Sequence, residues 1–214
     1  MEITIWSDFV CPFCYIGESH LKKAIKNVDI PEDFEIEYRS FQLDPTGYYI
    51  PNKSYAETLS EFKGMPLEQA EAMTVHVKEM AEATGLEVNY EQAVYANTLD
   101  AHRVFQYAKE IGLGNEYFNR FYRAHFVDGA NLEDHNTILN IAQELGLDTQ
   151  LVEKILNDSS KYQDDVRGNI SLATSIGVQG VPFFVFNEKY AVSGAQPVEL
   201  FEDVIKKVYS ESKE

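Results

Sequence analysis

Cysteine is scarce in this chain: Cys11 and Cys14 are the only two in 214 residues. No disulfide framework therefore staples the fold, and none is needed at a length that can bury a sizeable core. Basic residues are scarce too. Eighteen Lys plus Arg stand against 35 Asp plus Glu, a formal charge of −17. Such a chain repels phosphate backbones and anionic lipid, so no nucleic-acid partner and no membrane surface is expected. No apolar run is long enough to span a bilayer. Met1 is followed at once by Glu2 and a strand-like run, without the basic segment and apolar stretch of an export signal. We expect a cytoplasmic protein. Self-similarity at a long period is missing as well, which argues against a repeat architecture.

What is present is concentrated near the start. The two cysteines form Cys11-Pro12-Phe13-Cys14, directly after a strand-like run, Ile3 to Trp6, and directly before a helix-like pattern. A helix N-terminus offers unpaired N–H groups and a positive dipole end to a thiolate, so a C-x-x-C at that junction suits thiol–disulfide chemistry. The alternatives are half a zinc site and an inert buried pair. Zinc needs two more ligands, and His20, His76, His102, His125 and His135 show no paired ligand spacing. We therefore expect no metal, and a redox pair.

The remaining pattern divides in three. Residues 1–50 read β-α-β: the first strand, a helix from Pro12 with Ile16, Leu21, Ala24, Ile25 and Val28 on one face, and an alternating run from Phe34 to Leu43. Residues 51–164 read as helices, the clearest running from Leu67 to Thr84 with Ala70, Met73, Val77, Met80, Ala81 and Thr84 on one face. Expected N-caps are Asn97 or Thr98, Asn115, Asp134 and Asp148, and several helices close on Gly followed by an apolar residue: Gly85-Leu86, Gly112-Leu113 and Gly146-Leu147. Residues 165–214 read α-β-β-α: a helix from Asp165 to Gly177, strands Phe183 to Phe186 and Tyr190 to Ser193, and a final helix after Pro197. The fold class is α/β, a thioredoxin fold with a large all-α helical insertion.

Cys11-Pro12-Phe13-Cys14, the run Asn97-Thr98-Leu99-Asp100-Ala101-His102-Arg103, Gly180-Val181-Pro182-Phe183-Phe184-Val185-Phe186 and Ser193-Gly194-Ala195-Gln196-Pro197 together resemble the FrnE-like branch of the DsbA family of disulfide oxidoreductases. The resemblance covers essentially the whole chain. It implies an exposed nucleophile at Cys11, a buried resolving thiol at Cys14, and a redox-active Cys11–Cys14 disulfide with no bound organic cofactor. It also implies a cis Val181-Pro182 bond whose Val181 backbone would pair with an extended substrate; the alternative is a trans proline opening an edge strand. Pro12 and Phe13 would border the substrate. Asn97 and His102 would face the same groove, against the alternative of a cap and a hydrogen-bonded buried histidine. Gln196 would bind a carboxylate such as that of glutathione, or merely cap its helix. Tyr48-Tyr49, Tyr117-Phe118 and Phe121-Tyr122 are read as packing.

The expected partners are protein thiols and disulfides, or glutathione; nothing in the sequence speaks to oligomeric state. Exported DsbA relatives carry histidine where this chain has Phe13. A phenyl ring supplies neither a hydrogen bond nor charge, so we expect a weaker oxidant. Two rival functions share the resemblance. One is a glutathione-dependent isomerase or transferase of the kappa or hydroxychromene-carboxylate isomerase type, whose members usually carry serine in place of Cys11. The other is a redox-sensing adaptor.

Overall fold

The computed structural model describes residues 1–31 and 33–213. Strand β1 (Glu2–Ser7) is joined to a parallel β2 (Glu35–Ser40) by helix α1 (Pro12–Asn27). Then come α2 (Tyr55–Lys63), α3 (Leu67–Ala83), α4 (Leu99–Glu110), α5 (Gly114–Phe126), α6 (His135–Glu144), α7 (Thr149–Asn157) and α8 (Gln163–Ser175). The chain returns to the sheet as the hairpin β3 (Phe183–Phe186) and β4 (Tyr190–Ser193) and ends in α9 (Val198–Glu211). The sheet order is β2-β1-β3-β4, with β3 antiparallel to both neighbours. This is the expected thioredoxin fold, with a helical insertion between β2 and the hairpin. Among the described residues no helix is long and apolar enough to cross a membrane.

Strand periodicity decides the layers. Ile3 and Ile5 of β1 and Phe184 and Phe186 of β3 point to one face, where they meet Leu21 and Ala24 of α1 and Phe201 and Ile205 of α9. Trp6, Phe183 and Val185 point to the other, against Ala173 of α8 and Val178. The hairpin turns on Asn187 and Glu188, both left-handed at φ 45° and 55°, the geometry that matches the twist of paired strands.

Local chemistry sets most helix ends. Ser54 and Glu57 form a reciprocal capping box on α2, and Asp134 and Asp148 cap α6 and α7. Gly85, Gly112 and Gly146 adopt φ near +80°, and the leucine after each donates back into the helix it closes. Three expectations need correction. Asn115 caps nothing: Leu113 turns back to bond Ala108 at 2.8 Å, and α5 restarts immediately at Gly114. The α8 helix begins at Gln163 rather than Asp165. Met73 of α3 is 42% exposed rather than in the core.

The helical insertion is fastened to the sheet by aromatic rings. Phe9, in the loop before α1, packs 4.3 Å from Phe118 and 5.1 Å from Phe121 of α5. Tyr117, Phe118, Phe121 and Tyr122 are wholly buried, as expected, whereas Tyr48 is half exposed and only edge-on to Phe62.

Candidate active site: a dithiol beneath an apolar cavity

Helix α1 begins at the dithiol for a local reason. Cys11 is its extended N-cap and Pro12 its first residue, where a missing N–H costs nothing. Cys11 places its carbonyl on the N–H groups of Cys14 and Tyr15, at 3.1 and 3.3 Å. Both cysteines are free thiols. One turn along, Gly17 lets α1 approach the loop opposite: a Cβ there would lie 3.1 Å from Pro182 and 3.2 Å from the Phe184 ring. The Val181-Pro182 bond is cis. Its loop is tied to β4 by Gly194 N–H donating to the Pro182 carbonyl at 2.8 Å, and the Cys11 thiol lies 3.6 Å from the Val181 carbonyl oxygen.

The two thiols occupy different environments. Cys14 is enclosed, and its thiol titrates well above the ordinary range: burial is the main cause, and the adjacent Cys11 sulfur adds to it, against smaller stabilisation from Ser7 and the Asp8 backbone. At neutral pH Cys14 is therefore a protonated thiol, unsuited to starting an exchange. Cys11, expected to be exposed, is only 2% exposed. The reason is tertiary. Helices α2 and α3 and the segment between α3 and α4 close over it, leaving a cavity of about 280 Å³ as its access.

That cavity gathers part of the expected site and omits the rest. Cys11, Pro12, Phe13 and Val181 line it. Cys14 lies behind Cys11, and Pro182 behind Val181. Asn97, His102 and Gln196 do not line it. The Asn97 amide is occupied by the Pro45 and Gly47 carbonyls and Gln42, and its oxygen also accepts the Leu99 N–H. His102 is fully buried, stacked on Phe9 and paired through Nε2 with Asp8 at 3.2 Å. Gln196 turns its amide onto the Ser193 carbonyl, and its own carbonyl takes His20. All three side chains bond within the protein, although His102 Nδ1 is buried without a partner and Gln196 bonds Ser193 rather than capping α9.

The opposite wall was not anticipated. Tyr55 and Leu59 of α2, Met73, Thr74 and Val77 of α3, and Tyr90 and Tyr95 before α4 supply it. Asp8 also reaches the cavity, its carboxylate held by the Leu43 N–H at 2.8 Å and by His102. Asp8 could have been suspected, three residues before Cys11. For the tyrosines no sequence signal existed, because a helical period names a buried face without naming what it covers. Among the described residues no three His, Cys, Asp or Glu side chains form a metal-ligand group.

A four-stranded sheet of this order, with a C-x-x-C dithiol capping the helix after β1 and a cis-proline loop against it, defines a thioredoxin-fold dithiol protein. More narrowly, the chain belongs to the DSBA-like thioredoxin domain family, whose sequence profile matches residues 2–206. It is 34% identical to a probable DsbA oxidoreductase of Streptomyces coelicolor, SCO1869, and superimposes on that crystal structure with a TM-score of 0.89 over 99% of this chain and 91% of that one. Two more distant structures share the fold. A 2-hydroxychromene-2-carboxylate isomerase is 16% identical, with a TM-score of 0.72 over 100% of this chain and 98% of that one. The cytosolic disulfide reductase DsbM of Pseudomonas aeruginosa, solved with GSH, is 18% identical, with a TM-score of 0.65 over 97% and 98%.

Proposed function

We propose that this protein is a cytoplasmic thiol–disulfide oxidoreductase that works through Cys11 and Cys14. The observation that carries the reading is the asymmetry of the dithiol. One sulfur stands at the helix N-terminus on the wall of a cavity; the other sits behind it as a buried, protonated thiol. The Cys11 thiolate attacks a disulfide, forming one S–S bond as another breaks and a thiolate leaves. Cys14 then gives up its proton and attacks Cys11, closing the Cys11–Cys14 disulfide and expelling the second thiolate. Two electrons pass from protein to substrate; run backward, the steps oxidise a dithiol. A protein disulfide or a low-molecular-weight one fits this chemistry. The membership in the DSBA-like family and the likeness to SCO1869 support it, and in a reducing compartment the resting dithiol would persist.

The isomerase or transferase reading has less behind it. The 2-hydroxychromene-2-carboxylate isomerase supports the shared fold alone, and Gln196, the residue that would take a glutathione carboxylate, is engaged with Ser193.

The test is a pair of variants. Cys11→Ser should form no mixed disulfide with a model disulfide and show no turnover, while Cys14→Ser should accumulate the mixed disulfide at Cys11, visible as an intact-mass shift. Equal residual turnover in both would remove the dithiol as the working unit.

A further inference from the structure

We infer that the cavity over Cys11 selects small, uncharged, apolar disulfides and thiols over glutathione and over extended protein segments. The inference rests on the thiol–disulfide reading above and narrows its substrate class.

Size is the first argument. About 280 Å³ lies just under the range of roughly 300–1,000 Å³ typical of pockets for drug-sized ligands. With Cys11 only 2% exposed, a substrate sulfur must enter the cavity to reach it. Lining is the second. Leu59, Val77, Val10 and Val181 face inward, and Phe13, Leu43 and Met73 stand at the mouth, 38%, 43% and 42% exposed. Beyond the Val181 backbone, an extended peptide would carry its remaining N–H and C=O groups against these surfaces without partners, which costs free energy for each unsatisfied group. An apolar ligand instead removes the mouth residues from water.

Charge is the third. Lys63 is the one cation among the described lining residues, and it is held 3.0 Å from Asp44. Asp44 also accepts from the Tyr95 hydroxyl at 2.6 Å, from both Thr46 groups and from the Gly47 N–H. Burial opposes ionisation of Asp44, but the Tyr95, Lys63 and Thr46 bonds outweigh it and hold the carboxyl well below the usual range. The lysine is therefore already matched. Asp8 is the other lining carboxylate, paired with His102. No unmatched cation in the lining is left to compensate the carboxylates of glutathione disulfide, and the chain's formal charge of −17 opposes its approach. The hydroxyls of Tyr55 and Tyr90 have no protein hydrogen-bond partner among the described residues. Burial raises both phenols well above their ordinary range, with Cys11 adding to each, so they remain protonated donors for one neutral acceptor on a ligand.

The exchange itself is the balanced one already written. Cys11 and Cys14 lose two electrons and two protons as one R–S–S–R becomes two R–SH.

The experiment compares single-turnover rates of the reduced protein with three probes: benzyl 2-hydroxyethyl disulfide, glutathione disulfide, and a disulfide-bridged hexapeptide. Each rate is divided by that probe's rate with 2-mercaptoethanol, which removes intrinsic reactivity. The uncharged benzyl probe should lead glutathione disulfide by about tenfold or more, the scale of a small apolar contact in a pocket. Met73→Trp, at the exposed mouth, should shrink that ratio towards one, and Asp44→Asn, which frees Lys63, should speed glutathione disulfide alone. A normalised rate for glutathione disulfide or the peptide equal to or above that of the benzyl probe would overturn the inference. So would a Met73→Trp variant that slows all three equally, or an Asp44→Asn variant that leaves glutathione disulfide unchanged. Failure of every probe to form a mixed disulfide at Cys11 would instead remove the thiol–disulfide reading on which the inference stands.

Discussion

Two walls face each other across Cys11. The first is the strand-to-helix junction with the cis-proline loop, two short segments distant in sequence, each with a conformation set by its own backbone chemistry: an N-cap, a proline at the first helical position, a glycine that admits the loop opposite. The second is assembled from α2, α3 and the segment before α4, with Tyr55 and Tyr95 forty residues apart yet 5.9 Å between ring centroids. The first wall holds the two sulfurs and the second covers Cys11. On the proposed function the first sets reactivity and the second access, so the two should respond to different substitutions.

The largest expected effect lies on the side of the helical insertion. Arg103 is 1% exposed and donates to the carbonyls of Ile155, Asp158 and Lys161 and to Asp100. It joins α4 to the end of α7, and removing it strands buried acceptors. Arg103→Leu should cost about 3 kcal/mol or more, which at about 2–4 °C per kcal/mol in a chain of this size lowers the Tm by at least about 6 °C. Its reduction potential should stay that of the parent. A shifted potential, measured in glutathione redox buffers, would break the separation of the two walls.

His125 of α5 should give the next effect. It is fully buried beside Tyr55, neither ring nitrogen has a partner, and burial depresses its pKa to about 4. The unfolded value is about 6.5, so below that pH the unfolded chain takes up a proton the folded protein refuses. The stability contribution is complete above pH 6.5 and is lost as the pH falls towards 4. Between pH 7 and 4.5 this group alone should remove about 2 kcal/mol. Urea unfolding of His125→Leu at both values should show that much less loss; an unchanged difference would mean that the ring finds a partner in solution.

Phe13→His should act on the other wall and least on stability. A histidine beside Cys11 stabilises the thiolate and with it the reduced form. About 1.4 kcal/mol of such stabilisation makes the potential less negative by about 30 mV. The unfolding midpoint of the reduced protein should move little, because Phe13 is 38% exposed. A potential that stays put, or becomes more negative, would show that groups such as Asp8 set the poise.

The strands, the start of α1 and the glycine-closed helix ends were legible before the fold was known, each from chemistry within a few residues: alternation, a cap, a left-handed glycine. The cis bond was expected on resemblance, because a proline permits cis without requiring it. Asn97, His102 and Gln196 were expected at the substrate groove on resemblance, yet none lines the cavity and each makes a polar contact within its own protein, an option the sequence pattern leaves open. Met73 shares a helical face with Ala70 and Val77, but only Ala70 and Val77 end among other side chains; the amphipathic pattern does not say where the core stops and a cavity mouth begins.

By itself the sequence determined the order of elements, the acidic character and the pairing of Cys11 with Cys14 at a helix N-terminus, because these depend on contacts between near neighbours or on composition. Only the tertiary structure decided that Cys11 is covered, that Tyr55, Tyr90 and Tyr95 stand over it, and that Lys63 is matched by Asp44. Such facts depend on how helices distant in sequence pack together, and a periodic pattern records that a face is buried without recording against what.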